Sequence, residues 1–313
     1  NFLNRLKPDL FIALETEIWP NFIAACKKRF IPVLMLNGRI SERAFKRYLL
    51  VKALLRGVLD KIDLFCMQDE SHKAKIIKLG APEDKVFVTG NIKFDIAPDT
   101  SLDSSKLLMI KEYLNSERKQ LFVAGSTHPR EESELLRIFK GLKSEFRNLL
   151  FLIAPRHIER SVRVKREALS YGFNVELYSR LNAGAIIDLD IIILDVIGEL
   201  RYIYELASVV FIGGSLIPHG GQNLIEPAYF SKPILFGPYM DNFGGISRLF
   251  LNQKAAIQVR DADELLIEVT SLIKNPGRMQ LLGKKAKETV DLNKGVTDRL
   301  MNFIAPYLTF NVG

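Results

Sequence analysis

The nine residues His219-Gly220-Gly221-Gln222-Asn223-Leu224-Ile225-Glu226-Pro227 have the types and spacing of a ligand pocket. They follow the apolar run Val209-Val210-Phe211-Ile212 and the turn Gly213-Gly214-Ser215. This predicts a buried strand, a glycine-rich turn and a helix beginning near Gln222. Glycines let backbone approach a ligand closely, and a first helical turn offers unpaired N–H groups to an anion. Glu226 is placed there to accept hydrogen bonds from sugar hydroxyls. The whole suits a nucleotide with its phosphate on the helix start and its ribose on Glu226. An ordinary tight turn fits the same residues.

Further strand ends carry polar groups of the same kind. Gly125-Ser126-Thr127-His128-Pro129-Arg130 follows the apolar run Leu121–Ala124 and precedes Glu131-Glu132. It reads either as a phosphate loop or as a helix N-cap built from Ser, Thr and Pro. Pro155 and Arg156 end the run Leu149–Ile153, where an arginine fork suits a phosphate or a base edge as well as it suits solvent. Asp195-Val196-Ile197-Gly198-Glu199-Leu200 follows Ile191–Leu194. Near the start of the chain, Glu15-Thr16-Glu17 ends the run Leu10–Leu14. Two carboxylates there fit acid–base work and equally fit the acidic first turn of a helix. Lys93, in Gly90-Asn91-Ile92-Lys93-Phe94-Asp95, fits an anion contact or a solvated position.

Short apolar runs and helix-length amphipathic segments must position these groups. Leu10–Leu14, Pro32–Leu36, Leu64–Met67 and Val86–Thr89 read as strands, with helices at Trp19–Arg29, Glu42–Arg56 and Glu70–Leu79, the last closed by Gly80. The chain is expected to enter its first strand at once. A polar, proline-bearing stretch over 96–105 reads as a linker. A second series of strands follows at Leu121–Ala124, Leu149–Ile153, Phe173–Leu177, Ile191–Leu194, Val209–Ile212, Pro233–Phe236 and Ala255–Gln258. Helices at Pro276–Val290 and Val296–Leu308 close the chain. Such alternation implies parallel sheets covered by helices on both faces. The expected fold is α/β, two Rossmann-like domains facing a cleft, with ligands at the carboxyl ends of the strands.

Composition narrows the function classes. The 313 residues are 48% hydrophobic, enough for two cores, and no apolar run approaches the roughly 20 residues of a bilayer span. Cys26 and Cys66 sit in apolar segments and read as buried thiols. No metal-ligand spacing stands out, and no metal or cofactor is expected. A G-x-G-x-x-G after a first strand, a P-loop and a G-x-S-x-G elbow are all missing, which disfavours dinucleotide and hydrolase chemistry. The net charge of +8 is concentrated between Lys27 and Arg56, where nine basic residues face Glu42 alone. That excess points to an anionic partner. Arg43, Lys46, Arg47, Lys52 and Arg56 alternate with Tyr48, Leu49, Leu50, Leu54 and Leu55. A helix so built could rest on an anionic membrane, or could turn its leucines to the sheet and its charges to water.

Taken in order, Glu15-Thr16-Glu17-Ile18-Trp19-Pro20-Asn21, Asn37-Gly38-Arg39-Ile40-Ser41, Gly90 to Asp95, Gly198-Glu199-Leu200, and Gly213-Gly214-Ser215 with Gly221 to Glu226 resemble the 3-deoxy-D-manno-octulosonic acid (Kdo) transferases over nearly the whole chain. The resemblance implies a GT-B glycosyltransferase. Such an enzyme moves Kdo from CMP-Kdo, with inversion, to the lipid A precursor lipid IVA at the cytoplasmic face of the inner membrane of Gram-negative bacteria. Nucleic acid is not an implied partner. The implied domains are an acceptor-side domain over 1–95, a linker over 96–105, a CMP-Kdo domain over 106–290, and a C-terminal helix over 291–313 packing back on the first domain. Pro155, Arg156, Ile197, Gly198, Glu199, Asn223, Leu224, Ile225 and Glu226 match the nucleotide-binding positions, and Glu15 and Lys93 match positions that stabilise the transition state. The family's general base is a glutamate upstream of the segment matching Glu15-Thr16-Glu17. The resemblance therefore implies an incomplete first domain here and a chain that binds nucleotide but turns over poorly. The alternatives are another GT-B enzyme, a UDP-sugar transferase or UDP-N-acetylglucosamine 2-epimerase, and a catalytically silent nucleotide-binding scaffold.

Overall fold

A computed structural model describes residues 2–96, 105–182 and 188–308. It divides into two compact units, one of residues 1–96 with 293–313 and one of residues 97–292. Most of the expected linker, 97–104, lies outside the described residues.

In the first unit a short helix, α1 (Phe2–Leu6), precedes the first strand, where the sequence suggested immediate entry into a strand. Then follow β1 (Phe11–Leu14), α2 (Pro20–Lys27), β2 (Val33–Gly38), α3 (Glu42–Leu50), α4 (Lys52–Leu59), β3 (Leu64–Met67), α5 (Glu70–Leu79) and β4 (Val86–Val88). The four strands pair in parallel in the order β1-β2-β3-β4. Strand β2 is buried along its whole length, so alternate residues serve opposite faces of the sheet. Val33 and Met35 join Ile23, Cys26, Leu59, Phe65 and Ile76 in one core.

The helix expected over Glu42–Arg56 is two helices, broken at Val51, whose φ of −115° and ψ of 21° leave the helical range. Leu55 and Leu59 turn into the core while Leu50, Val51 and Leu54 stay in solvent, Leu50 being 86% exposed. Phe45, Tyr48 and Leu49 of α3 pack on the same core as Leu55 and Leu59 of α4, so some leucines of this stretch face the sheet and others face water.

The second unit contains α6 (Ser105–Ser116), β5 (Gln120–Thr127), α7 (Glu131–Glu145), β6 (Leu149–Pro155), α8 (Ser161–Ser170), β7 (Val175–Leu177), β8 (Ile191–Ile193), α9 (Leu200–Leu206), β9 (Val209–Ile212), α10 (Ile225–Tyr229), β10 (Ile234–Phe236), α11 (Gly244–Asn252), β11 (Ile257–Gln258), α12 (Ala262–Lys274) and α13 (Pro276–Leu292). All pairings are parallel, in the order β11-β10-β9-β5-β6-β8-β7. Phe122 and Phe151 stack across β5 and β6 with centroids 4.8 Å apart, and Phe139 of α7 packs on Phe151. These rings belong to one core cluster of this unit.

The last helix, α14 (Val296–Ile304), belongs to the first unit. Its Val296, Leu300 and Ile304 cover the face of that sheet formed by Leu34, Leu36, Leu64 and Cys66. Glycine stands at its N-cap position, so the cap comes from elsewhere: Asp95 accepts hydrogen bonds from the backbone N–H of Gly295 at 2.7 Å and of Thr297 at 2.5 Å. These bonds hold the Asp95 carboxyl below the usual range although its partial burial works the other way.

Candidate functional site

In the first unit, polar groups gather at the carboxyl edge of the sheet. Glu15 follows β1 directly, and its backbone N–H donates to the Leu36 carbonyl of β2 at 2.9 Å. Its carboxylate lies 3.2 Å from the Arg39 guanidinium. Glu17 instead accepts the Trp19 indole N–H at 3.0 Å, so the two carboxylates have different partners. At the end of β2, Asn37 accepts the Ile92 N–H on its side-chain oxygen at 3.1 Å and the Gln68 amide on its carbonyl at 3.0 Å. Gln68 in turn accepts from Asn91 at 3.1 Å, and Asn91 accepts the Lys93 backbone N–H at 3.1 Å. One network thus ties the ends of β2, β3 and β4 and fixes the segment bearing the half-buried Lys93. Sequence reading missed Gln68, which lies in no motif. Its only signal was its place directly after a predicted strand.

Glu15 and Asn37 adopt positive φ, 60° and 53°, and Ser126 in the second unit does the same at 57°. Left-handed backbone is uncommon for residues other than glycine. It is strained, and such strain gathers at functional sites.

In the second unit the candidate residues lie at the end of β6 and in the segments after β6, β8 and β9, strands ordered β9-β5-β6-β8. Pro155 ends β6 and is buried, while Arg156 beyond it is exposed, its N–H bonded to the Thr127 carbonyl at 2.9 Å. Ile197 and Gly198 follow β8, with Ile197 83% exposed. Glu199 accepts a short hydrogen bond from the hydroxyl of the buried Tyr178. After β9, Asn223 donates to the Glu226 carboxylate at 3.1 Å and accepts the Ile225 N–H at 3.1 Å. Leu224 and Ile225 are buried core side chains, so only their backbone atoms can meet a ligand. Burial pushes the Tyr204 hydroxyl well up, and the Glu226 carboxylate adds to that shift.

Two expectations for this edge need correction. Helix α10 starts at Ile225, not near Gln222, and has five residues. The Ile225 N–H is bonded to the Asn223 side chain, so this one donor of the helix start is engaged within the protein. The glycine turn is also occupied. Glu131 is fully buried and accepts the N–H groups of Gly214 at 2.7 Å, Ser215 at 3.1 Å, Leu216 at 3.1 Å and His128 at 3.2 Å. Burial raises its carboxyl above the ordinary value, and these four bonds oppose the rise. An internal carboxylate thus holds the N–H groups of the glycine turn, where the sequence suggested close backbone approach to a ligand. Gly213 is needed for packing instead: a Cβ there would meet the Ser126 carbonyl at 2.5 Å. The Ser126-Thr127 segment is likewise the end of β5 and provides no side-chain cap for α7. Glu132 beside Glu131 pairs with Arg160 at 2.5 Å.

Comparison with known proteins shows what the chain is similar to. Residues 1–96 match the family described as 3-Deoxy-D-manno-octulosonic-acid transferase (kdotransferase). The chain is 32% identical over 320 residues to the 3-deoxy-D-manno-octulosonic acid transferase of Haemophilus influenzae, covering 99% of this chain and 72% of that protein. It is 33% identical to the Rickettsia conorii transferase, covering 98% and 65%. It is also 35% identical to a bifunctional glycosyltransferase/methyltransferase of Fusobacterium nucleatum, covering 86% and 42%. The chain thus spans from 42% to 72% of the length of these relatives. Among solved structures, the C-terminal CMP-Kdo binding domain of WaaA from Acinetobacter baumannii superposes with a TM-score of 0.55 at 26% identity, covering 59% of this chain and 96% of that one. UDP-GlcNAc 2-epimerase from Neisseria meningitidis, at TM-score 0.64 and 15% identity over 97% of this chain and 78% of its own, shares the fold. With 32% identity along essentially its whole length to a transferase that it covers for more than two thirds, the chain belongs to the 3-deoxy-D-manno-octulosonic acid (Kdo) transferase family.

Proposed function

We propose that this chain serves Kdo transfer from CMP-Kdo to the lipid A precursor lipid IVA, with inversion at the anomeric carbon, and that by itself it binds the nucleotide but turns over poorly. The observation that supports the reading is the placement of Arg156 directly after β6, Glu199 in the segment after β8 and Glu226 in α10 after β9, in a unit similar to a CMP-Kdo binding domain. Glu226, braced by Asn223, accepts the ribose hydroxyls. Pro155, Arg156, Ile197, Gly198 and Glu199 surround the base and phosphate, together with the backbone of Asn223, Leu224 and Ile225. As CMP leaves, the anomeric carbon gains positive charge, which a fixed carboxylate stabilises more than it stabilises the ground state. Glu15 has that role here, with Arg39 holding it in place. Lys93 offsets the charge of the sugar carboxylate or the departing phosphate.

The acceptor is taken at the cytoplasmic face of the inner membrane of a Gram-negative bacterium. Among the described residues no helix is long and apolar enough to cross a membrane. Attachment would use the exposed Leu50, Val51 and Leu54 flanked by the exposed Arg43, Lys46, Arg47, Lys52 and Arg56. Sedimentation with liposomes tests this part: pelleting that ignores anionic lipid and salt refutes it.

The nucleotide reading is tested by calorimetry of CMP, UMP and UDP. Selective CMP binding, lost in Glu226→Ala, is expected. Preference for UDP would move the protein to the epimerase or UDP-sugar branch, and no binding by a folded sample would favour a silent scaffold. In a catalytically active form of the protein, Glu15→Gln or Lys93→Ala with undiminished turnover would remove those residues from the chemistry.

A further inference from the structure

The sequence contains four histidines, and three of them meet at the carboxyl edge of the seven-stranded sheet. His128 follows β5, His157 follows β6 and His219 lies in the loop after β9. These strands are neighbours in the order β9-β5-β6. From β5 the chain first builds β6, β7 and β8 on one side and later β9, β10 and β11 on the other. His128 and His219 therefore straddle the point where strand order reverses, which is where open parallel sheets hold ligands.

The His128 and His219 rings are stacked, with centroids 3.8 Å apart and planes at 23°. His157 meets His128 edge-on at 6.1 Å. His128 is 3% exposed and its Nε2 has no hydrogen-bond partner. Buried polar atoms are nearly always bonded, so an orphan at a ligand edge calls for an explanation. The other two histidines and Arg156 are exposed around it. Burial, with the neighbouring His219, His157, Arg156 and Arg160, lowers His128 to about 4. The carboxylates on the same turn are committed, Glu131 to backbone N–H groups and Glu132 to Arg160. Stacked rings do not aim their nitrogens at one point, as the ligands of a metal do.

We propose that His219, seated on His128 and flanked by His157 and Arg156, is the seat of the donor nucleotide's phosphate. The N–H groups of Gly214 and Ile225 nearby are bonded within the protein, to Glu131 and Asn223. His219 and Arg156 contact the phosphate oxygens. His128 is a positioning residue, holding the His219 ring by its face and completing its own bonding when the ligand or its bound water arrives.

The inference rests on the cytidine-nucleotide reading, and the test separates the two. Calorimetry with wild type, His219→Ala and His157→Ala compares CMP, UMP, cytidine and CMP-Kdo. Both substituted side chains are exposed, and unchanged thermal melting confirms that each variant is folded. Loss of one charge-assisted contact should weaken CMP about tenfold in His219→Ala, leave cytidine unchanged, and cost less in His157→Ala. Wild type that binds CMP and UMP alike, with the same loss for both in His219→Ala, would refute the cytidine reading and keep the seat. CMP preferred over UMP, with the CMP-to-cytidine ratio unmoved in His219→Ala, would overturn the seat alone. Loss confined to CMP-Kdo would place the sugar carboxylate there and overturn the phosphate assignment. Equal binding of CMP and cytidine by wild type would also overturn it.

Discussion

Glu131→Gln tests how the second unit holds its ligand edge. Each Glu131 oxygen accepts two backbone N–H groups: Oε2 those of His128 and Gly214, Oε1 those of Ser215 and Leu216. Glutamine keeps the shape but offers one carbonyl oxygen. In either orientation its NH2 faces two N–H groups, leaving both without an acceptor in a place water does not reach. A buried donor left unsatisfied costs about 1–3 kcal/mol, so two cost about 2–6 kcal/mol, with the stranded amide adding to the loss. Against a typical total of about 5–15 kcal/mol, the variant should fold but be clearly weakened. Because the chain has two units, one global midpoint is a poor readout. Native-state hydrogen exchange is the better assay, with the Gly214, Ser215 and Leu216 amides losing protection well before the β5 and β6 strands. The variant should also bind CMP more weakly through a faster off-rate, as the loop bearing His219 loosens. A change within about 0.5 kcal/mol, the range of ordinary surface substitutions, with those amides still protected, would refute the claim that a buried carboxylate organises this edge.

Other expectations concern acid, caps and packing. His128 has a folded value of about 4 against 6.5 ordinarily. The neutral ring is therefore favoured by folding, and its stabilisation is complete above pH 6.5 and lost as pH falls toward 4. On the order of 3 kcal/mol should disappear over that window, and urea titrations should show a flatter profile in His128→Gln; parallel profiles would contradict this. Asp95→Ala removes the cap of α14 and should cost about 1–2 kcal/mol, read by thermal melting of the first unit. Since its carboxyl is held low, the wild-type advantage should persist above the ordinary value of 3.8 and fade only below it. Gly125→Ala would bring a Cβ to 1.9 Å from the Tyr204 hydroxyl. That tyrosine is 3% exposed and cannot swing aside, so an overpacking loss of about 1–3 kcal/mol is expected; wild-type stability would show that β5 and α9 can part.

Much was legible in the linear chain because it depends on local period and composition. Continuous apolar runs such as Val209–Ile212 and Ile191–Ile193 became fully buried parallel strands, since a strand covered on both faces has no polar side to show. Gly80 took the left-handed position after α5. The polar segments after β1, β6, β8 and β9 all fell at carboxyl ends of strands, as parallel winding requires, and their order along the chain identified the family. What the sequence could not show was how those segments spend their hydrogen bonds. Glu131 looked like an acidic helix start, yet three-dimensional packing drives it inward against the Gly214–Leu216 backbone. The break at Val51 and the start of α10 at Ile225 were likewise invisible, because competing turn and helix states differ little locally and tertiary contacts choose between them. Three histidines far apart in sequence became one cluster only because β9, β5 and β6 are neighbours. Strand order is a property of the whole sheet, and no window of sequence contains it.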